Sequence, residues 1–160
     1  MDAKELLKKC VAEEEKYQFP SFTQTDALKL GTMLYQTSIE EFGRPVGIEI
    51  RLNRLTVFKF LPEGTGENHC IWLDAKAATV DAMRISTYHF FADIECGGRN
   101  LKDRRLDEKK YLAQGGGFPL RICNSSVVGT ICVSALKHFE DHQVIVDTLE
   151  KYFNEVVGKR

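Results

Sequence analysis

An alternation that occurs twice constrains the fold more than any other feature of the chain. Val46, Ile48, Ile50 and Leu52 alternate with Gly47, Glu49 and Arg51, the period-two pattern of a half-buried strand. Asn53-Arg54 separates this run from residues 55–61, so the segment reads as a hairpin. Further on, Phe118, Leu120 and Ile122 alternate with Pro119, Arg121 and Cys123, and Val127, Ile131 and Val133 repeat the alternation beyond Asn124-Ser125-Ser126. This is a second hairpin.

Helical spacing fills the remainder. Leu6, Leu7, Cys10 and Val11 mark a first amphipathic helix over 3–16, and Pro20 then imposes an extended connection. Thr23 caps a second helix whose acid three residues on, Asp26, completes a capping box; its apolar face runs to Phe42, and Gly43 stops it. A third helix is expected over 69–83, a short helix or irregular segment over 86–94, and a last helix over about 138–157, closed by Gly158. The order α-α-β-β-α-α-β-β-α contains no repeated β-α-β unit. An α+β fold with a central antiparallel sheet flanked by helices is therefore expected. At 160 residues with 43% hydrophobic side chains, the chain suits one domain, 1–160, with a sizeable core.

Charge and cysteine usage narrow the function classes. Lys and Arg number 22 against 23 acidic residues, so no global attraction to nucleic acid or anionic membrane is expected. Arg99, Lys102, Arg104, Arg105, Lys109 and Lys110 form a local cationic surplus. It lacks interleaved aromatics, so it reads as a solvated segment rather than a nucleic-acid stripe. No apolar run is long enough to span a bilayer, and the charged N-terminus is unlike a signal peptide. Cys10, Cys70, Cys96, Cys123 and Cys132 form an odd set without a C-x-x-C pair, which points to reduced thiols in the cytoplasm and to neither a disulfide framework nor a zinc knuckle. No dedicated metal site is expected.

Four places carry candidate chemistry. His142 lies in the first turn of the last helix, where free backbone N–H groups disfavour an imidazolium; a neutral imidazole there can ligate iron, move protons, or serve as a hydrogen-bonded structural residue. Gly115, Gly116 and Gly117 can present amides to an anion, or simply admit the chain into a strand. Trp72 and Lys76, four apart on the third helix, can clamp the face and acidic edge of a planar ligand, or pack at a subunit contact beneath an extended lysine. Ser86 and Thr87 offer hydroxyls, which only the family resemblance given below would set near this pair. No catalytic residue is assigned, since Gly-x-Ser-x-Gly is absent and no Ser-His-Asp triad can be drawn.

Several fragments in order resemble one known family. They are Phe22-Thr23-Gln24-Thr25-Asp26-Ala27 with Leu30-Gly31, Pro45-Val46, and Asn68 with Trp72, Lys76 and Thr79-Val80. Tyr111 with Gly115-Gly116-Gly117-Phe118-Pro119 follows, then Val128-Gly129-Thr130-Ile131 with Val133-Ser134, and Glu140-Asp141-His142. These are similar to the haem-degrading-domain family, in its cytosolic branch related to the GlcG and HbpS proteins. The resemblance implies a profilin-like fold, homo-oligomers larger than a dimer, and a pocket for a small planar or anionic ligand, with haem as the candidate cofactor. The ligand-binding residues would be Trp72, Lys76, Ser86, Gly115, Gly116, Gly117 and His142. The chain departs from the family pattern at Ala75-Lys76, where relatives carry Arg-Lys, and at Met83-Arg84-Ile85-Ser86-Thr87, where they carry Phe-x-His-Ser-Ser. One cation and one histidine of the pattern are thus absent. The other reading is a non-catalytic oligomeric scaffold for protein contacts.

Overall fold

The computed structural model describes residues 1–159. The helices are α1 (Ala3–Lys16), α2 (Gln24–Phe42), α3 (Glu67–Met83), α4 (Thr87–Glu95) and α5 (His138–Glu155); the strands are β1 (Gly47–Leu52), β2 (Leu55–Phe60), β3 (Gly117–Arg121) and β4 (Val127–Ser134). The four strands form one sheet in the order β2-β1-β4-β3, and every neighbouring pair is antiparallel. Outside these strands, a single-residue bridge sets Phe19 parallel to Ile122 and ties the extended segment around Pro20 to the second hairpin.

Local chemistry accounts for the element ends. Thr23 and Asp26 satisfy each other's backbone N–H groups at the start of α2, and Gly43 ends that helix at φ +75°. α3 begins two residues earlier than the periodicity predicts, because His69 Nδ1 accepts the Gly66 N–H at 3.0 Å and closes the N-terminus. Ser86 is the N-cap of α4, accepting the His89 N–H. α5 stops at Glu155, and Gly158 falls in a short 3-10 turn, Val157–Lys159, instead of capping the helix.

Two helical layers sandwich the sheet. Ile48, Ile50, Ile131 and Val133 pack with Leu30 and Leu34 of α2 and Val144, Ile145 and Leu149 of α5 in the main core. On the opposite face Cys132 meets Leu73 and Ala77 of α3. This second layer corrects the expectation of a half-buried β1: α3 covers the polar side too, so Glu49 is only 2% exposed. β1 therefore has both faces covered along most of its length, whereas β2 lies at the sheet edge and exposes Leu55 and Phe60. The segment 99–110 consists of turns, with Arg99 bound to the Asp103 carbonyl and Arg104 to the Arg99 carbonyl and Asp93.

Candidate functional site

The sheet brings the tripled glycine beside both α3 and the start of α5. Val133 N–H donates to Gly116 O at 2.8 Å, so the glycine segment runs along β4 just before it becomes β3. At Gly116, φ is +118°, and a Cβ would stand 2.5 Å from both Lys76 Nζ and Val133 O. At Gly115 a Cβ would press on the His138 carbonyl and come within 3.1 Å of His142 Cβ. Glycine is required here because backbone, lysine and helix start converge on one point.

That point is a buried ion pair. Lys76, 3% exposed, donates to Val133 O at 2.7 Å and to Asp141 Oδ2 at 3.0 Å, and the other Asp141 oxygen accepts the Leu136 N–H. Burial pushes the Asp141 carboxyl up to about 6, with Lys76 and the Leu136 amide offsetting only part of that cost. The sequence reading offered Lys76 as a hand for a ligand carboxylate or as an extended lysine. Instead its ammonium is already engaged by the protein, because α3 carries it beneath the end of β4.

Beside this pair lies a cleft of about 230 Å³ lined by His69, Trp72, Lys76, Gln114, Ser134, Ala135, Leu136, His138 and Asp141. Trp72 is 45% exposed. His138 Nδ1 accepts the Gly115 N–H at 3.0 Å, as His69 Nδ1 accepts that of Gly66. A neutral imidazole that accepts through Nδ1 carries its proton on Nε2, so both rings offer the cleft hydrogen-bond donors. Burial, with help from Lys76 and His142, holds His138 below the usual histidine range and keeps it neutral at pH 7. A planar indole face and two ring N–H donors suit a flat ligand with acceptor groups at its edge, while the Lys76 charge is already paired with Asp141. Iron ligation through Nε2 of either ring would require the other tautomer and the loss of its backbone bond.

Of the residues singled out in the sequence, the structure brings Trp72 and Lys76 to this cleft. Gly115, Gly116 and Gly117 stand behind it, with the Gly115 amide spent on His138 and the Gly117 amide on Thr87 Oγ1 at 2.9 Å. Those two amides build the wall and do not face an anion. Ser86 and His142 lie outside the lining. Ser86 is buried as a helix cap, its own N–H donating to Glu14 Oε2. His142, 1% exposed, donates from Nε2 to Glu13 Oε1 at 2.8 Å. His69, His138 and Asp141 were missed as site residues. The glycine run was the available signal, since small residues there announce that side chains of other elements approach closely.

The family described as "Haem degrading protein HbpS-like" matches residues 22–150. A UPF0303 protein of Streptomyces avermitilis is 32% identical over 142 residues, covering 88% of this chain and 86% of that protein. The crystal structure of the Ybr137w protein superposes with a TM-score of 0.84 at 24% identity, over 94% of this chain and 89% of that one. The crystal structure of a PduOC–haem complex gives a TM-score of 0.67 at 16% identity, over 81% and 94% of the two chains.

Proposed function

The chain belongs to the HbpS-like haem-degrading protein family, and from that premise we propose that its cleft binds a small planar, anionic ligand of the haem class. The observation that carries this reading is the set of groups around the cleft: Trp72 for stacking and the ring N–H groups of His69 and His138 as donors, above the buried Lys76–Asp141 pair. The haem in the PduOC complex supports the ligand class. Ligands of drug size occupy pockets of roughly 300–1,000 Å³, so at about 230 Å³ this cleft holds part of a macrocycle and leaves the opposite face to a second copy of the chain. Exposed Ile71 and Trp72 on α3 and Phe139 on α5, the two helices that wall the cleft, support such a contact. We read residues 1–160 as one domain that assembles into a homo-oligomer larger than a dimer. All five cysteines are free, which supports a cytoplasmic location, and no helix among the described residues is long and apolar enough to cross a membrane.

Haemin titration followed by visible absorption tests the proposal. A saturable shift that Trp72→Ala and His138→Ala each weaken about tenfold or more is expected. The absence of a saturable shift would overturn it. A second reading, a non-catalytic scaffold, draws on the same exposed apolar side chains; it predicts a stable multimer that Trp72→Ala dissociates and that shows no response to haemin.

A further inference from the structure

A second polar cluster lies where α1, α4 and α5 meet, and none of its members lines the cleft. Cys10 Sγ, a Glu13 carboxylate oxygen and a ring nitrogen of His142 all lie within 4.8 Å of one another, and all three residues are buried. Their exposures are 0%, 7% and 1%. Glu13 and His142 share one hydrogen bond, from Nε2 to Oε1 at 2.8 Å. His142 Nδ1 and Glu13 Oε2 are buried without a hydrogen-bond partner, the nearest cation to the latter being Lys9 Nζ at 3.8 Å. An apolar wall closes the cluster: Leu6 and Ala92 pack with Cys10, and the Tyr88 ring sits 4.9 Å from that of His142.

Buried polar atoms without partners are rare in folded proteins because each one forfeits its hydration with no return. Here two occur in residues of one small group; an ion shared by Glu13 and His142 would take the facing Oε1 and Nε2, and the Nε2 proton would move to the unpartnered Nδ1. We propose that Cys10, Glu13 and His142 form a binding site for one divalent transition-metal ion of the zinc type. Thiolate, imidazole and a single carboxylate match zinc, which accepts sulfur, nitrogen and oxygen together; calcium and magnesium require mostly oxygen. Three protein ligands leave a fourth tetrahedral position for water or a ligand atom. Without the ion, burial and the neighbouring Glu13 and Glu14 push the Cys10 thiol up to about 12, so it stands protonated. Metal binding therefore replaces the S–H bond with an S–metal bond, and the proton passes to solvent. Cys10 and Glu13 are three apart on α1, and His142 faces them from α5, so the ion would pin the first helix to the last.

The test uses the intact protein, stripped with chelator and titrated with cobalt(II). The expected result is a saturable band at one cobalt per chain, with thiolate-to-cobalt charge transfer and tetrahedral ligand-field intensity. Zinc should displace it, Cys10→Ser should abolish it, and Cys132→Ser and Trp72→Ala should leave it intact. If no thiolate band forms, or if the band persists in Cys10→Ser, the assignment is wrong and the cluster is a hydrogen-bonded His–Glu pair beside an apolar cysteine. Should Cys10→Ser fail to fold by circular dichroism, Glu13→Gln and His142→Gln replace it. Zinc affinity weakened about tenfold or more in each supports the site, and unchanged affinity overturns it.

Discussion

At the scale of single residues, Gly116 and Lys76 carry the most consequence. A Cβ at Gly116 meets Lys76 Nζ and Val133 O at 2.5 Å on a backbone with φ +118°. Gly116→Ala thus combines left-handed strain, of order 1–3 kcal/mol, with displacement of the buried ammonium. Urea denaturation should show a loss at or above the upper end of that range. Lys76→Met leaves the Asp141 carboxylate buried without its cation, and breaking such a pair from one side costs about 3–5 kcal/mol. The double variant Lys76→Met/Asp141→Asn, with no charge left to strand, should recover much of the loss. If the double variant is as unstable as the single one, the pair is not what holds α3 to α5. The pairing was not legible in the sequence. Lys76 and Asp141 are 65 positions apart, and a lysine on a helix that also carries Asp74 and Asp81 looks the same whether its ammonium ends in water or beneath a sheet.

At the scale of elements, β1 shows where sequence reading succeeds and where it stops. The alternation around Ile48 and Ile50 predicts the strand, and the register Ile48 to Val133 and Ile50 to Ile131 places both inside the main core. The other face was beyond the pattern, because the burial of Glu49 depends on where α3 lands. Burial acts to raise the Glu49 pKa, but hydrogen bonds from Arg51 Nε and Nη2 at 2.9 and 3.0 Å and from Thr56 Oγ1 at 2.6 Å, with the Lys59 charge, outweigh it and hold the carboxyl below its ordinary range. A depressed carboxylate contributes stability that is present above its unfolded pKa and is lost as pH falls through the folded one. Glu49→Gln should therefore cost about 1.5–3 kcal/mol at neutral pH. It should also flatten the decline of thermal midpoint between pH 5 and pH 2. A variant whose acid limb matches that of the parent protein would remove Glu49 from the acid sensitivity of the sheet. The capping box of α2 makes a smaller claim of the same kind. Thr23→Ala removes the acceptor for the Asp26 N–H, 3.2 Å away, and should cost about 1 kcal/mol by urea denaturation.

At the scale of the whole molecule, the order of elements was legible because each hairpin is local and its alternation depends only on neighbours in the chain. The cleft was legible in part, since Trp72 and Lys76 sit one helical turn apart on one element. Its other wall, His138 and Asp141, is delivered by α5 after the chain has passed through the second hairpin, and no spacing rule reaches across that distance. The same limit applies outside the chain, where a second copy would complete the cleft. If a flat macrocycle stacked one face on Trp72, a cleft of about 230 Å³ would leave its other face to such a copy. If two chains share the ligand, haemin affinity depends on protein concentration, rising as the assembly forms. Ile71, 65% exposed on α3 beside Trp72 in the chain, is the residue with which to separate fold from assembly. An aspartate there costs the free chain little, because the position is already in water, yet it sets a charge in the apolar centre of any contact. Ile71→Asp should retain its circular dichroism and thermal midpoint, sediment as a smaller species, and bind haemin about tenfold more weakly or worse. A variant that dissociates but keeps the parent affinity would mean that each chain binds alone, and the stacking side chain for the second face must then be sought within it.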